Sequence, residues 1–182
     1  MAPTTRWLAA LVALVAVSGA GSMVLTGCGG GHPAHPHAAA VVASTDVWGS
    51  VARAVAARHV PVKSILSGAE TDPHSYEASP SDAAAIADAA LVVFNGGGYD
   101  GWVDDVLARN PGASPVNAYS FLANDGQPRD EHVFYDLSVA KAVAADIAER
   151  LATIDPGNAA DSPASAAAFG RDADTIAGAE HA

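Results

Sequence analysis

The sequence predicts an α/β fold, a mostly parallel four-stranded sheet flanked by helices, from three observations. Short β-like runs alternate with helical patterns from Val41 onward, which implies βαβ crossovers. One of those runs, Ala90-Leu91-Val92-Val93-Phe94-Asn95, is apolar throughout, as a strand buried on both faces must be. The helical stretch from Ser138 to Ala152 carries Val139, Val143, Ile147 and Leu151 at intervals of four, which is one face of a helix.

The remaining elements follow in chain order. Val41 to Ser44 is a short strand, and Asp46 to Ala57 a helix with Val47, Val51, Ala54 and Val55 on one face. Val60 to Leu66 is the second strand, and Pro61 suits an early or edge position because proline donates no ladder hydrogen bond. Ser79-Pro80-Ser81-Asp82 reads as a helix start: a capping serine, proline at the first helical position and an acid three residues after the cap. The glycines at 96 to 98 end the apolar strand, and a helix from about Asp100 turns Trp102, Val103, Val106 and Leu107 inward. Pro115 to Tyr119 is a weaker fourth strand. Asp155-Pro156-Gly157-Asn158 closes this region, and Ser162-Pro163 opens a last helix with Phe169 and Ile176 as its large apolar residues. That helix is expected to have little to pack against.

Composition narrows the function. The net charge is −11, and the nine basic residues are scattered singly. Phosphate binding needs clustered Lys and Arg, so nucleic acid is excluded as a partner. With one cysteine, Cys28, no disulfide forms within the chain, and a metal site must draw on His, Asp and Glu.

Residues 1–28 read as an export signal: Arg6, then the apolar run from Trp7 to Val17, then small residues. The run is shorter than the roughly 20 residues that span a bilayer. Leu25-Thr26-Gly27-Cys28 resembles a bacterial lipobox, which makes Cys28 the expected lipidation site and the cell membrane the expected anchor. Residues 29–40 are a Gly/Pro/His tether in which His32, His35 and His37 offer an auxiliary, weak zinc site.

Two histidines fall where open α/β sheets bind ligands, beyond the carboxyl ends of strands. His74 lies in Asp72-Pro73-His74-Ser75-Tyr76-Glu77 after the second strand. His132 lies in Asp130-Glu131-His132 after the fourth. Imidazole suits zinc, and neighbouring acids can orient each ring through its second nitrogen. With neutral imidazoles as ligands, binding should weaken below about pH 6.

The run from Val41 to Leu151 resembles the zinc/manganese solute-binding lipoproteins of ABC importers, the cluster-nine or ZnuA/TroA-like family. The matching pieces are the first strand and helix, Thr71 to Glu77 with Ser79 to Asp82, Ala90 to Gly96 with Tyr99 to Trp102, and Glu131-His132 before a helix. The resemblance implies two lobes joined by a long helix, with metal held between them. His74 and His132 then stand at the ligand positions of the first lobe. Residues 41–155 correspond to that lobe and 156–182 to the start of the linking helix, so the second lobe's two ligands have no counterpart. Glu180 and His181 match no ligand position.

The expected function is therefore an extracytoplasmic, lipid-anchored, monomeric metal-binding protein and not an enzyme. It would deliver zinc, with manganese or iron as alternatives, to an ABC importer permease. A one-lobed metal buffer or a non-functional fragment is the competing reading. A metal-dependent hydrolase using His74, His132 and Asp100 is disfavoured, because no Ser-His-Asp set, phosphate-binding glycine loop or His-Glu-x-x-His helix accompanies them.

Overall fold

A computed structural model describes residues 41–123 and 129–180. The leader, Cys28 and the histidines at 32, 35 and 37 lie outside the described residues, as do His181 and Ala182. Strands β1 (Val41–Thr45), β2 (Val62–Leu66), β3 (Leu91–Phe94) and β4 (Pro115–Asn117) form one sheet in the order β2-β1-β3-β4. Every pairing is parallel: Val41 lies opposite Val62 and Leu91, and Val93 opposite Val116. β2 is an edge strand preceded by Pro61, as the sequence led us to expect.

Alternation along the strands sorts side chains to two faces. Val41, Ala43, Leu91, Val93 and Val116 share one core with α1 (Asp46–Ala56) and α4 (Leu137–Ile154). Val42, Val92, Phe94 and Leu66 share the other with α2 (Pro80–Ala87) and α3 (Gly101–Leu107). Each Val, Leu or Ile buried in these layers contributes roughly 1.5–3 kcal/mol.

The inward face of α1 is Trp48, Val51, Ala52 and Val55, while Val47 is 42% exposed. This corrects the face read from sequence, which held Val47 and Ala54. Both sets have helical spacing, and the large indole of Trp48 decides which one is buried.

α2 begins as anticipated, with a reciprocal capping box between Ser79 and Asp82 and Pro80 at the first position. The fourth strand is shorter than read, because Ala118–Phe121 turns into a 3₁₀ helix. The final helix, α5 (Asp161–Glu180), packs along α4 and α1, contrary to the expectation that it would find little to pack against. Alanine is the reason: Ala166 and Ala173 allow close approach, Phe169 inserts against the core, and Ile176 stays exposed. His59 pairs with Asp161 at 3.0 Å and Lys141 with Asp174, tying both halves of α5 to the lobe.

The sheet order reverses direction between β1 and β3. Crevices for ligands form beyond the carboxyl ends of strands at such a switch point.

Candidate metal centre

Asn95, the residue directly after β3, is fully buried. Gly96, Gly97 and Gly98 follow with φ of 76°, 66° and 95°, a left-handed run that L side chains rarely adopt. A Cβ on Gly96 would lie 2.1 Å from the Asn117 carboxamide, and one on Gly97 would lie 2.4 Å from the Tyr119 ring. The turn is held by Asp100, whose two carboxylate oxygens accept from the backbone N–H of Asn95 and of Gly96, each at 2.8 Å. Burial pushes the Asp100 carboxyl above the ordinary range, and these amides pull it back in part.

This turn delivers Tyr99 to a point between the two histidines. Its ring is edge-on to His74 with centroids 4.9 Å apart, and edge-on to His132 at 5.6 Å. The two imidazole centroids are 6.1 Å apart, so residues 58 positions apart in sequence share one site. Phe134 packs against both Tyr99 and His132.

Each histidine is held by an aspartate two residues earlier. Asp72 Oδ1 accepts from the backbone N–H of His74 and from its ring Nδ1, both at 3.1 Å. Asp130 Oδ1 accepts from the backbone N–H of His132 at 2.9 Å and from its Nδ1 at 2.7 Å. A carboxylate only accepts, so in each neutral ring the proton sits on Nδ1 and the lone pair on Nε2. The hydrogen bond to Asp72 raises the His74 pKa above its ordinary 6.5; desolvation opposes this and Glu131 adds to it. The backbone N–H groups of His74 and His132 lower the pKa of Asp72 and Asp130 respectively.

Glu131 is the residue that sequence reading did not single out as a donor. Both neighbouring acids were open to orient His132, and the structure divides the work: Asp130 orients it, while Glu131 places Oε1 3.5 Å from His74 Nε2. His74, Glu131 and His132 each offer one donor atom, and the three atoms lie within 4.8 Å of one another. All three side chains are about two-fifths exposed (42%, 39% and 43%), so the cluster opens to solvent. Two imidazoles and a carboxylate are a donor set suited to zinc, with manganese and iron also compatible. Asp100, the carboxylate of the disfavoured hydrolase reading, is buried in the glycine turn and is not part of this cluster.

Residues 41–180 match the family described as the periplasmic zinc-uptake complex component A. The chain belongs to that family. The family is one of metal-uptake components, not of enzymes. Compared with curated proteins, the chain matches none.

Among solved structures, the laminin-binding protein Lmb of Streptococcus agalactiae, described as a bifunctional protein with adhesin and metal transporting activity, superposes with a TM-score of 0.64. It is 30% identical over 75% of this chain and 52% of its own. Zn(II)-bound AdcA of Streptococcus pneumoniae gives a TM-score of 0.63 at 24% identity, over 76% of this chain and 31% of its own. The periplasmic zinc-binding protein TroA of Treponema pallidum gives 0.64 at 22%, over 75% and 52%. The last two establish the fold alone. The chain spans about half the length of Lmb and TroA, or less than that of AdcA. Among the described residues, no helix is long and apolar enough to cross a membrane.

Proposed function

We propose that this chain is the metal-binding first lobe of an extracytoplasmic solute-binding protein that hands zinc to an ABC importer permease, with manganese or iron as alternative cargo. The observation that carries the reading is the meeting of His74 and His132, each with Nδ1 engaged by its own aspartate and Nε2 left for a cation. Glu131 adds the third donor. The zinc-uptake family and the metal transporting activity described for Lmb support the same cargo class.

Three protein donors leave at least one position of a tetrahedral zinc open. In a two-lobed binder that position faces the opposite lobe, so residues 41–155 serve as one jaw and α5 begins the linking helix. Protein zinc affinity is measured by competition with a fluorescent chelator. Replacing both His74 and His132 with Ala should remove tight binding; an unchanged dissociation constant would sink the reading.

Cys28 we assign as the lipid-anchored residue, with residues 1–28 as its export signal, residues 29–40 as a tether and the mature protein a monomer. His32, His35 and His37 in that tether are auxiliary, low-affinity ligands. Labelling of cells with an alkyne fatty acid should tag the wild-type chain and not Cys28→Ala; equal labelling would refute the anchor.

A further inference from the structure

We infer that Asn95 is a positioning residue for the metal donors, acting through the main chain of Glu131. This rests on the zinc-binding reading above and deepens it.

Asn95 stands at the carboxyl end of β3, fully buried, at the switch point of the sheet. Its carboxamide bridges the core to the donor segment by hydrogen bonds. Oδ1 accepts from the indole N–H of Trp48 at 3.1 Å. An indole N–H can only donate, so the atom facing it must be the carboxamide oxygen. The NH₂ group is thereby turned the other way, where it donates to the Glu131 carbonyl at 2.7 Å and to the Gly96 carbonyl at 3.0 Å. The backbone of Asn95 is committed as well: its N–H goes to Asp100, and its carbonyl accepts from Tyr119 N–H at 2.8 Å. No freedom is left for the side chain to turn.

The consequence falls on the segment Asp130-Glu131-His132. Asp130 bonds His132 locally, and the flanks are held by Arg129, which donates to the Tyr119 and Leu122 carbonyls, and by the buried Val133; Asn95 holds the middle. The Asn95 amide pins the middle residue to the sheet, and two of the three donors flank or belong to that pinned peptide. On the other side the Asp100-held turn sets Tyr99 against both histidines. One asparagine thus places the Glu131–His132 donors relative to His74. Partners that orient ligands without touching the metal cost about 10–100-fold in affinity when removed.

The test uses Asn95→Asp in the full chain, with Trp48→Phe as its comparison. Asn95→Asp keeps an acceptor for Trp48 but sets a carboxylate oxygen against the Glu131 carbonyl. Trp48→Phe removes the other partner of the same carboxamide and leaves the Glu131 contact standing. Two readouts are taken at a temperature where circular dichroism shows each variant folded: zinc affinity, and the visible absorption of bound Co(II), which reports ligand geometry. Asn95→Asp should weaken zinc binding by about tenfold or more and change the Co(II) spectrum. Trp48→Phe should lower the melting temperature with zinc affinity and spectrum retained. Should Asn95→Asp not fold, Asn95→Ser, which is too short to reach Glu131, is read the same way. Unchanged affinity in the Asn95 variants would overturn the inference, and so would equal weakening by Trp48→Phe. A wild-type chain that shows no zinc binding and no Co(II) bands overturns the metal reading itself, a result separate from either.

Discussion

His74 Nε2 stands 3.5 Å from the Glu131 carboxylate, so two loops distant in sequence meet through their donor atoms. The contact is an ion pair when the His74 ring is protonated, and under the proposed role a cation between the two would make them a pair of ligands. Glu131→Gln keeps the shape and removes the charge. It should weaken zinc binding roughly tenfold or more and lower the His74 pKa by less than Asp72→Ala does. The ranking follows because the Asp72 hydrogen bond is the largest cause of the raised value and Glu131 a smaller one. Titration of the His74 ring by NMR in both variants checks it, and a reversed order would refute the assignment.

Acidity should release the metal sooner than sequence alone implies. A protonated imidazole cannot ligate, and the His74 pKa lies above 6.5. Zinc affinity should therefore begin to fall above pH 6.5 and not near 6 as expected from an unperturbed ring. In the metal-free protein the sign is opposite. The bond between His74 and Asp72 stabilises fully below the ordinary value and is lost as pH rises through the raised one. Dissociation constants and apo melting temperatures across pH 5.5 to 8 would show the two trends running against each other; parallel trends would count against the coupling.

Gly96→Ala should be among the most damaging single-methyl changes in the chain. It meets a left-handed backbone, with φ of 76°, and a Cβ position 2.1 Å from the Asn117 side chain. Strain and overpacking together predict a loss of about 2–4 kcal/mol, read as a shift in the urea midpoint. Gly98→Ala is the useful contrast. Its φ of 95° carries strain, but no atom lies within 4 Å of an added Cβ, so the loss should be smaller.

Asp136 caps α4, accepting from the backbone N–H of Ser138 at 2.8 Å and of Val139 at 3.3 Å. Replacing it with Ala should cost about 1 kcal/mol. The Ser138 hydroxyl leads the causes that hold its carboxyl below the ordinary 3.8. The cap's contribution is therefore intact above that value and fades as pH falls through the lowered one. Equal acid sensitivity of wild type and Asp136→Ala would argue against this capping role.

Periodicity made the layers of the fold legible. The apolar run at 91–94 and the i, i+4 face of α4 could only be interior elements, and both are. The rule for parallel sheets put His74 and His132 in loops beyond β2 and β4, where the structure also has them, yet nothing local showed that they meet. Their proximity is created by the order β2-β1-β3-β4 and by the glycine turn that seats Tyr99 between them. Glu131 stayed hidden because adjacent acids at 130 and 131 look alike in sequence, and only backbone direction separates clamp from donor. The packing of α5 was missed for a different reason: alanine adds little to a hydrophobic pattern but lets helices approach closely.

Each aspartate clamp spans two residues and seizes both the peptide and the ring of its histidine. The rings consequently surrender their rotational freedom when the chain folds and not when a cation arrives. Under the proposed metal-binding role, an arriving cation would meet two rings already turned toward it, and the ordering of these side chains would be settled in folding and not in binding.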